Sequence, residues 1–400
     1  MKKILCVVLA VLFIFAFTAC KADEAPADDA AAPAADDAAD DAADDAADDA
    51  ADDAADDADD PAGGGTEDLG AAEESEGPVI DIPYGPTEGK TDDDYYFGFS
   101  FGGINPYADP VEPAATQAEA ELGITKHMTI STPQDWIQND QNQMLDALIA
   151  GGCKGIQMMP SEAVASNEQI SKMVNAGIPV VCMGGPPALP SDATLTLATD
   201  VYQSAYDGTI AIIEKLGGKG NIVGLSGAIN DTNTQKRFQA IEDACDEYPD
   251  VTLFQTIGDI DNAEGSMTAV GDLLAASGDE IDGMISTAYY PSVAMAKHLA
   301  DGDYDIVAVG IDTDAAVLDA IRNGVLYGTM SQNPWGQSYI STYTLKMLVD
   351  GYTYKDDQPE VIDSGSFLIT TENIDSMDDT VLSVTLKILD TWLDRFNPPA

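Results

Sequence analysis

The alternation of apolar and polar positions predicts that the chain folds, from Tyr95 onward, as strand and helix in turn. Apolar runs of strand length alternate with segments of about ten to fifteen residues whose apolar side chains recur at helical spacing. Strands separated by helices in this way form parallel sheets with helices on both faces. The predicted strands are 95–101, 127–131, 155–159, 178–183, 194–199, 221–227, 251–257, 283–287 and 305–311.

These elements fall into two successive arrays of similar size, which meet near Asp200. We therefore expect an α/β protein with two doubly wound parallel-sheet lobes that face each other across a cleft. One long Rossmann-type enzyme is the alternative architecture. It fits less well, because no G-x-G-x-x-G follows the first strand and no G-x-x-x-x-G-K-S/T occurs in the chain.

The segment that precedes these arrays begins with MKKILCVVLAVLFIFAFTAC, which has the pattern of an export signal. Two lysines precede an apolar run from Ile4 to Phe17 that is too short for a comfortable membrane span. The small residues before Cys20 are similar to the bacterial lipoprotein signal, in which the cysteine is lipidated and becomes the mature N-terminus. We expect 1–20 to be such a signal; a plain cleaved signal peptide and an uncleaved membrane anchor are the alternatives.

The segment 21–90 has the composition of a linker. It is dominated at first by alanine and aspartate, with an A-A-D-D repeat from about Ala34 to Asp57. Paired aspartates every four residues repel one another along a helix face, and the Ala/Asp part lacks bulky apolar residues that could offset the entropy cost of folding. We expect a disordered acidic linker over 21–90 that serves as a solvated spacer; metal binding by the aspartates is the alternative.

The formal net charge of −54 narrows the range of partners. A strongly acidic chain is repelled by nucleic acid and by anionic membrane surfaces, so we expect neither to be bound by the folded part. Beyond Cys20 the chain has three scattered cysteines after the linker, Cys153, Cys182 and Cys245, which do not form a disulfide framework. We expect all three to be buried and reduced.

Motifs of enzyme chemistry are missing from the sequence. The segment Gly224–Gly227 does not have the spacing of a nucleophile elbow, and neither His127 nor His298 has a partner at metal-ligand spacing. We therefore expect no catalytic residue, no metal site and no cofactor, and a protein that is not an enzyme.

Aromatic, amide and charged residues recur at the ends of the predicted strands, where doubly wound sheets bind ligands. Aromatic faces with convergent amides and charges suit a hydroxylated, partly apolar small molecule. Packing is the simpler explanation for each residue taken singly, whereas the recurrence at many strand ends favours a site. The candidates are Asn105, Tyr107, Met159, Gly184, Arg237, Tyr289, Asp312, Gln332 and Trp335.

Over about residues 94–370 the chain resembles the periplasmic binding protein type 1 family, in particular the ribose- and galactose-type sugar-binding lipoproteins of ABC transporters. The resemblance implies two lobes joined by three hinge strands, and a ligand that is trapped when the hinge closes. The segments that carry it occur in the family's order: FGFSFGGINPY, LDALIAGGCKGIQMMPSEAVA, NAGIPVV, LATDVYQSAYDGTIAII, GKGNIVGLSG, KRFQAIEDA, VAVGIDTDAAVLDAIRNG and YGTMSQNPWGQ.

The resemblance also implies lobe boundaries. The hinge strands are expected near 198–202, 331–335 and 360–365. The N-terminal lobe is then expected to comprise 91–199 plus about 332–362, and the C-terminal lobe 200–331 plus about 363–400.

Four residues match positions of the family's site. Arg237 matches an arginine that donates to ligand hydroxyls, Asp312 an acceptor carboxylate, Gln332 a polar hinge residue and Tyr107 an aromatic ring that stacks on the sugar. A guanidinium that donates and a carboxylate that accepts can together satisfy vicinal hydroxyls. An Arg237–Asp312 salt bridge across an empty cleft is the alternative.

Other positions depart from the ribose-type pattern. Gly184-Gly185 stands where that pattern ends its fourth strand in Asp-Arg, and Met159 and Tyr289 stand where it has amides. Each missing polar contact is worth about 1–3 kcal/mol if its partner hydroxyl is buried. We expect the glycines to leave room for a ligand that is bulkier or less polar than ribose.

Together these features predict a monomeric, lipid-anchored solute-binding protein on the extracytoplasmic face of the cell membrane. It would capture a sugar, polyol or glycoside and deliver it to an ABC permease. The alternative is a ligand-sensing lipoprotein of the same fold that signals to a membrane kinase or chemoreceptor; the two hypotheses differ in the partner rather than in the pocket.

Overall fold

The computed structural model describes residues 77–399. The expected signal over 1–20, the lipidation site Cys20 and most of the acidic linker lie outside the described residues. The strands, in chain order, are β1 (Phe97–Ser100), β2 (Thr129–Ile130), β3 (Gly155–Met158), β4 (Val180–Met183), β5 (Leu195–Ala198), β6 (Lys219–Leu225), β7 (Asp250–Ile257), β8 (Gly283–Ser286), β9 (Val307–Ile311), β10 (Gly328–Ser331), β11 (Thr353–Tyr354), β12 (Val361–Asp363), β13 (Phe367–Ile369) and β14 (Phe396–Asn397).

The helices follow the strands with the expected alternation. The helices are α1 (Val111–Leu122), α2 (Gln138–Ala150), α3 (Ser166–Asn175), α4 (Val201–Lys215), α5 (Thr232–Asp246), α6 (Ala263–Ser277), α7 (Tyr289–Asp301), α8 (Ala315–Arg322), α9 (Pro334–Val349) and α10 (Met377–Leu389).

Two six-stranded sheets form the centres of two lobes, which confirms the predicted α/β class. The strand order is β12-β5-β4-β3-β1-β2 in the first sheet and β13-β10-β9-β8-β6-β7 in the second. Strand pairs in both sheets are parallel except β10–β13, which is antiparallel. Four-residue strands such as β1, β3, β4, β5 and β8 are buried along their whole length, as expected for sheets covered on both faces.

The chain makes a late crossing between the lobes along α10, and its first three crossings follow β5, β10 and β12. These three crossings are hydrogen-bonded to one another: the amide of Ser364 donates to the carbonyl of Ala198 at 2.9 Å, and Asn333 Nδ2 donates to the carbonyl of Ser364 at 2.8 Å. The amide of Asp200 donates to Asp363 Oδ1 at 3.1 Å. The three connections therefore form one hydrogen-bonded hinge, close to the positions predicted from the sequence.

The end of the expected linker is not a free spacer. Residues 77–90 pack on the first lobe: Ile82 is buried in its core, and the amide of Val79 donates to Tyr343 Oη at 3.2 Å. Thr87 Oγ1 donates to Asp350 Oδ1 at 3.0 Å. The expectation of disorder up to residue 90 is therefore wrong for this part, because the segment carries apolar side chains that the Ala/Asp repeat lacks.

The C-terminal segment belongs to both lobes. Strand β13 pairs with β10 of the second sheet, as expected for residues after 363. Leu389, Trp392 and Phe396, however, pack in the core of the first lobe with Phe97, and Trp392 Nε1 donates to Thr344 Oγ1 on α9 at 3.1 Å. The assignment of all of 363–400 to the C-terminal lobe must be corrected, since α10 returns the chain to α9 of the first lobe.

Candidate ligand-binding site

A cavity lies between the lobes at the carboxyl ends of their strands. This outer cavity has a volume of about 850 Å³, including the part that merges with solvent. Residues after β1 line one side, and residues after β8 and β9 line the other, as expected for ligand sites in doubly wound sheets. Its lining comprises Pro106, Tyr107, Asp109, Pro110, Tyr289, Asp312, Thr313, Asp314, Ala315, Ser331, Gln332 and Pro334.

A smaller inner cavity lies next to the hinge. It has a volume of about 250 Å³, including the part that merges with solvent, and the space at its centre suffices for about one water-sized group. Gln332 lines both cavities, so the two adjoin at this side chain. The inner lining comprises Thr199, Val201, Ser204, Ala205, Arg237, Ile285, Ser286, Thr287, Gly310, Ile311, Met330 and Gln332.

Asp312 is fixed in the cavity wall by its backbone and by Gln332. Its φ of 66° lies in the left-handed region, which is unusual for a residue other than glycine. The amide of Asp312 donates to the carbonyl of Met330 at 3.0 Å, and Gln332 Nε2 donates to Asp312 Oδ1 at 2.8 Å. Burial raises the pKa of the Asp312 carboxyl, although Gln332 and the charge of Arg237 oppose this change. The arrangement presents a preoriented acceptor to the cleft.

Arg237 extends into the inner cavity from α5. Among the described residues no hydrogen bond or ion pair to its guanidinium is found, so Arg237 and Asp312 do not form a salt bridge. Burial lowers the pKa of Arg237, while the charges of Asp312, Asp231 and Asp261 act to raise it. The guanidinium is therefore held in an acidic field with its donors available to another group.

Tyr107 lines the outer cavity with its ring, while its hydroxyl makes a hydrogen bond within the protein. Tyr107 Oη donates to Gln337 Oε1 at 3.0 Å, and its ring stacks on Phe101 with centroids 6.0 Å apart. Asn105 fixes this loop, because its Oδ1 accepts from the amide of Tyr107 at 2.8 Å. Burial raises the pKa of Tyr107, so the phenol remains neutral. The Asn105 side chain serves as a cap and does not line either cavity.

Tyr289 lies on the opposite wall, on the second lobe. Its Oη donates to Asp314 Oδ2 at 2.5 Å, and its ring is perpendicular to that of Tyr290 with centroids 5.3 Å apart. Burial and the hydrogen bond to Asp314 raise the pKa of Tyr289. Asp314 also caps α8 by accepting from the amide of Ala316 at 2.8 Å. The Tyr289 hydroxyl is thus already satisfied, and its ring edge is what remains for a ligand.

Met159 packs against Gly184 in the first lobe. A Cβ placed on Gly184 would lie 2.8 Å from Met159 Sδ and 3.5 Å from Tyr107 Cε1, and the φ of Gly184 is +74°. Gly185 likewise faces Met159 Cε. The expectation that the glycines leave room for a larger ligand is therefore wrong at Gly184, because the thioether of Met159 occupies that space.

Trp335 does not line either cavity. Its ring stacks on Tyr339, one turn further along α9, with centroids 4.8 Å apart and planes 17° from parallel. This contact packs the first turn of α9 on the core of the first lobe. An aromatic pair at i and i+4 is a common helix contact, so the ring has a structural explanation.

The structure brings together Tyr107, Tyr289, Asp312 and Gln332 in the outer cavity and places Arg237 in the inner cavity beside Gln332. Sequence reasoning missed the hydroxyl residues of the inner cavity. These are Thr199, Ser204, Ser286 and Thr287. A serine on the buried face of a helix was the available signal for Ser204.

Other expectations concern groups away from the cavities. Cys153, Cys182 and Cys245 are free and buried, as expected, and burial raises the pKa of Cys182 to about 12. His127 Nδ1 bonds Glu119 Oε2 at 2.9 Å, and His298 Nε2 bonds the carbonyl of Met267 at 2.8 Å.

Residues 77–399 contain no cluster of three or more His, Cys, Asp or Glu side chains that could hold a metal ion. Within the same range no helix has both the length and the apolar character needed to cross a bilayer.

Comparisons with known proteins agree with this architecture. A xylitol-binding protein of Mycolicibacterium smegmatis is 25% identical over 251 residues, which are 62% of this chain and 70% of the relative. A D-apiose import binding protein of Actinobacillus succinogenes is 27% identical over 237 residues, 58% of this chain and 75% of the relative.

Solved structures share the fold at lower identity. An ABC transporter solute-binding protein of Burkholderia graminis, solved with D-arabinose, matches 72% of this chain and 99% of its own with a TM-score of 0.64 and 20% identity. An arabinose-binding protein of Geobacillus stearothermophilus matches 70% of this chain and 97% of its own with a TM-score of 0.63 and 22% identity. The family model described as periplasmic binding protein domain matches residues 97–353, and the chain belongs to this family of substrate-binding proteins.

Proposed function

We propose that the protein captures a sugar or polyol between its two lobes and delivers it to an ABC importer. The observation that carries the proposal is the outer cavity, to which both lobes contribute strand-end residues. An aromatic ring on each wall, the carboxylate of Asp312 and the amide of Gln332 are groups that suit hydroxylated carbon frameworks. Arg237 adds unpaired donors at the inner end of the cleft.

The charges of the site favour a neutral ligand. Asp109, Asp312 and Asp314 line the outer cavity, and Arg237 is the cation among the lining residues of the two cavities. A phosphorylated or carboxylated sugar would meet repulsion from the carboxylates, and the net charge of −54 would slow its approach. Neutral sugars and polyols have no such penalty.

An importer is a better-supported partner than a sensory kinase or chemoreceptor. Two of the matched relatives are named as import binding proteins for D-apiose. The pocket itself is compatible with either partner. A pull-down from membranes with the ligand-loaded protein should recover a permease; recovery of a kinase alone would overturn the importer assignment in favour of sensing.

Anchoring through Cys20 is part of the same proposal. A lipidated cysteine followed by the acidic linker would hold the binding lobes at the extracytoplasmic face of the membrane. Cys20→Ser should move the protein from the membrane fraction to the soluble fraction, and globomycin-type inhibition of lipoprotein processing should accumulate the precursor. Retention of Cys20→Ser in the membrane would instead indicate an uncleaved anchor.

A thermal-shift screen tests the ligand class. The wild-type protein would be melted with neutral aldoses, ketoses and polyols, and with nucleosides, amino acids and sugar phosphates as contrasting classes. The proposal predicts that a neutral sugar or polyol raises the midpoint temperature of unfolding, because a ligand that binds only the native state stabilises that state. A shift produced only by one of the contrasting classes would contradict it.

A further inference from the structure

Two buried hydroxyl groups in the inner cavity have no hydrogen-bond partner. Thr199 and Ser204 are 7% and 2% exposed. The Thr199 hydroxyl lies near enough to that of Tyr107 to act on the pKa of Tyr107, but neither Thr199 Oγ1 nor Ser204 Oγ makes a hydrogen bond of normal geometry among the described residues. Both residues line the inner cavity together with Arg237, whose guanidinium is also unpaired. Buried polar groups without a partner are uncommon and costly, so two of them in one cavity, beside an unpaired guanidinium, call for an occupant.

The hydroxyl of Ser204 is unusual for its position in a helix. Buried hydroxyls in helices commonly donate to the carbonyl four residues earlier. Thr209 in the same helix does so at 2.7 Å, as do Thr342 at 2.9 Å and Thr344 at 2.7 Å in α9. Ser204 makes no such bond, so its hydroxyl is available to the cavity.

The shape of the inner cavity limits what can enter. Its centre has space for about one water-sized group, and its apolar wall includes Ile285, Ile311 and Met330. It adjoins the outer cavity at Gln332, whose Nε2 is occupied by Asp312. The hydroxyl of a hydroxymethyl group matches this space, because its oxygen can exchange hydrogen bonds with the two hydroxyls and the guanidinium while the carbon that bears it contacts the apolar wall.

We propose that the inner cavity is a subsite for a terminal hydroxymethyl group of the ligand, bound by Thr199 Oγ1, Ser204 Oγ and the Arg237 guanidinium. The inference rests on the proposed function and narrows it: the ligand carries a primary alcohol at one end, with the rest of its hydroxylated frame in the outer cavity. Acyclic polyols and sugars with an exocyclic hydroxymethyl arm have this group, and deoxy analogues that end in a methyl group do not.

The test pairs protein hydroxyls with ligand hydroxyls in a double-mutant cycle. Xylitol and D-glucose are titrated calorimetrically into the wild type, Thr199→Val and Ser204→Ala, alongside 1,5-dideoxyxylitol and 6-deoxy-D-glucose, which lack a hydroxymethyl group. Ser341→Ala is the matched control, since Ser341 Oγ is also buried and unpartnered but lines neither cavity. Melting of each unliganded variant verifies that it folds.

The subsite predicts that each of the two cavity substitutions weakens binding of a hydroxymethyl-bearing probe by about threefold to tenfold, the worth of one neutral hydrogen bond. The deoxy analogue should bind the wild type and the variants equally, and Ser341→Ala should change nothing. Equal losses for the probe and its deoxy analogue, or no loss at all, would overturn the subsite while leaving the proposed function intact. If neither probe binds the wild type, the subsite is rejected, and the screen of other sugars then decides the proposed function separately.

Discussion

The two lobes have corresponding six-stranded sheets but contribute different chemistry to the cleft. The first lobe offers the ring of Tyr107 and the apolar pair of Met159 and Gly184, and its charged lining residue is Asp109 at the rim. The second lobe offers Arg237 and Asp312. The same fold thus provides a stacking surface on one side and charged hydrogen-bonding groups on the other, so orientation of a ligand is set mainly by the second lobe.

The largest expected effect comes from removing the unpaired cation of the second lobe. Arg237→Ala should weaken binding of a sugar or polyol by about tenfold to a hundredfold, the cost of losing hydrogen bonds to a charged group. The midpoint of the unliganded protein should change little, because the described structure gives this guanidinium no partner to lose. Calorimetry and thermal melting measure the two quantities.

The neighbouring Lys236→Ala, at an exposed position of the same helix, is the control. It should leave affinity unchanged. A large fall in the unliganded midpoint of Arg237→Ala alone would indicate a structural role and remove the distinction between the lobes.

Asp312→Asn should weaken binding by about tenfold and yet stabilise the unliganded protein near neutral pH. Burial raises the pKa of Asp312, so the folded protein holds this proton more tightly than the unfolded chain does. The contribution of Asp312 to the free energy of unfolding therefore falls as pH rises from the ordinary aspartate pKa through the raised value. Chemical denaturation of the wild type and the variant across that interval measures the difference.

Below the ordinary aspartate pKa, at about pH 3, the stabilities of the two proteins should converge. Asp303→Asn, the same change at an exposed position of the second lobe, is the control and should leave the free energy of unfolding nearly unchanged. Equal stability of the wild type and Asp312→Asn at every pH would show that Asp312 bears no burial cost.

On the first lobe the expected effects concern stability more than affinity. Gly184→Ala should lower the free energy of unfolding by about 1–2 kcal/mol. The alanine would have to adopt a left-handed backbone conformation, and its Cβ would displace Met159. Gly185→Ala is the matched control: its φ is not left-handed and its nearest neighbour is the flexible end of Met159, so its cost should be smaller. Equal costs in urea denaturation would mean that the packing of Met159 on Gly184 is unimportant.

The smallest effect compares one tyrosine from each lobe. Tyr107→Phe should lower stability by about 1 kcal/mol, because Gln337 Oε1 is buried and loses its donor. Tyr289→Phe should cost less, since Asp314 keeps its bond to the amide of Ala316. Ligand affinity should change little in either variant because both rings remain. Melting curves and titrations of the pair check this, and a greater loss of stability in Tyr289→Phe would reverse the assignment.

Much of the fold could be predicted because it depends on local patterns. Strands β3 and β8 begin at the predicted residues, 155 and 283, and the hinge crossings lie near the positions that the family resemblance implies. The packing of residues 77–90 and the return of Trp392 to the first lobe depend on contacts between residues far apart in the chain, such as Val79 with Tyr343. No local pattern encodes such contacts.

In the site, too, some features follow from local patterns and others depend on contacts between distant parts of the chain. The strand-end rule predicted site residues at the carboxyl ends of the strands, and Tyr107, Asp312 and Gln332 line the outer cavity, because strand ends in parallel sheets share an edge. It could not show that Met159 fills the space above Gly184, or that Trp335 stacks on Tyr339. Those outcomes are decided by side-chain packing between elements, although the i, i+4 spacing of the two rings offered a hint.

A crystal structure of the protein with the sugar or polyol that gives the largest thermal shift would show where the ligand binds. We expect one ligand between the lobes, with its frame beside the Tyr107 ring, one hydroxyl that donates to Asp312 and another oxygen that accepts from Arg237. A ligand bound outside the cleft, or one that contacts only the first lobe and leaves Arg237 and Asp312 without a new partner, would contradict this expectation.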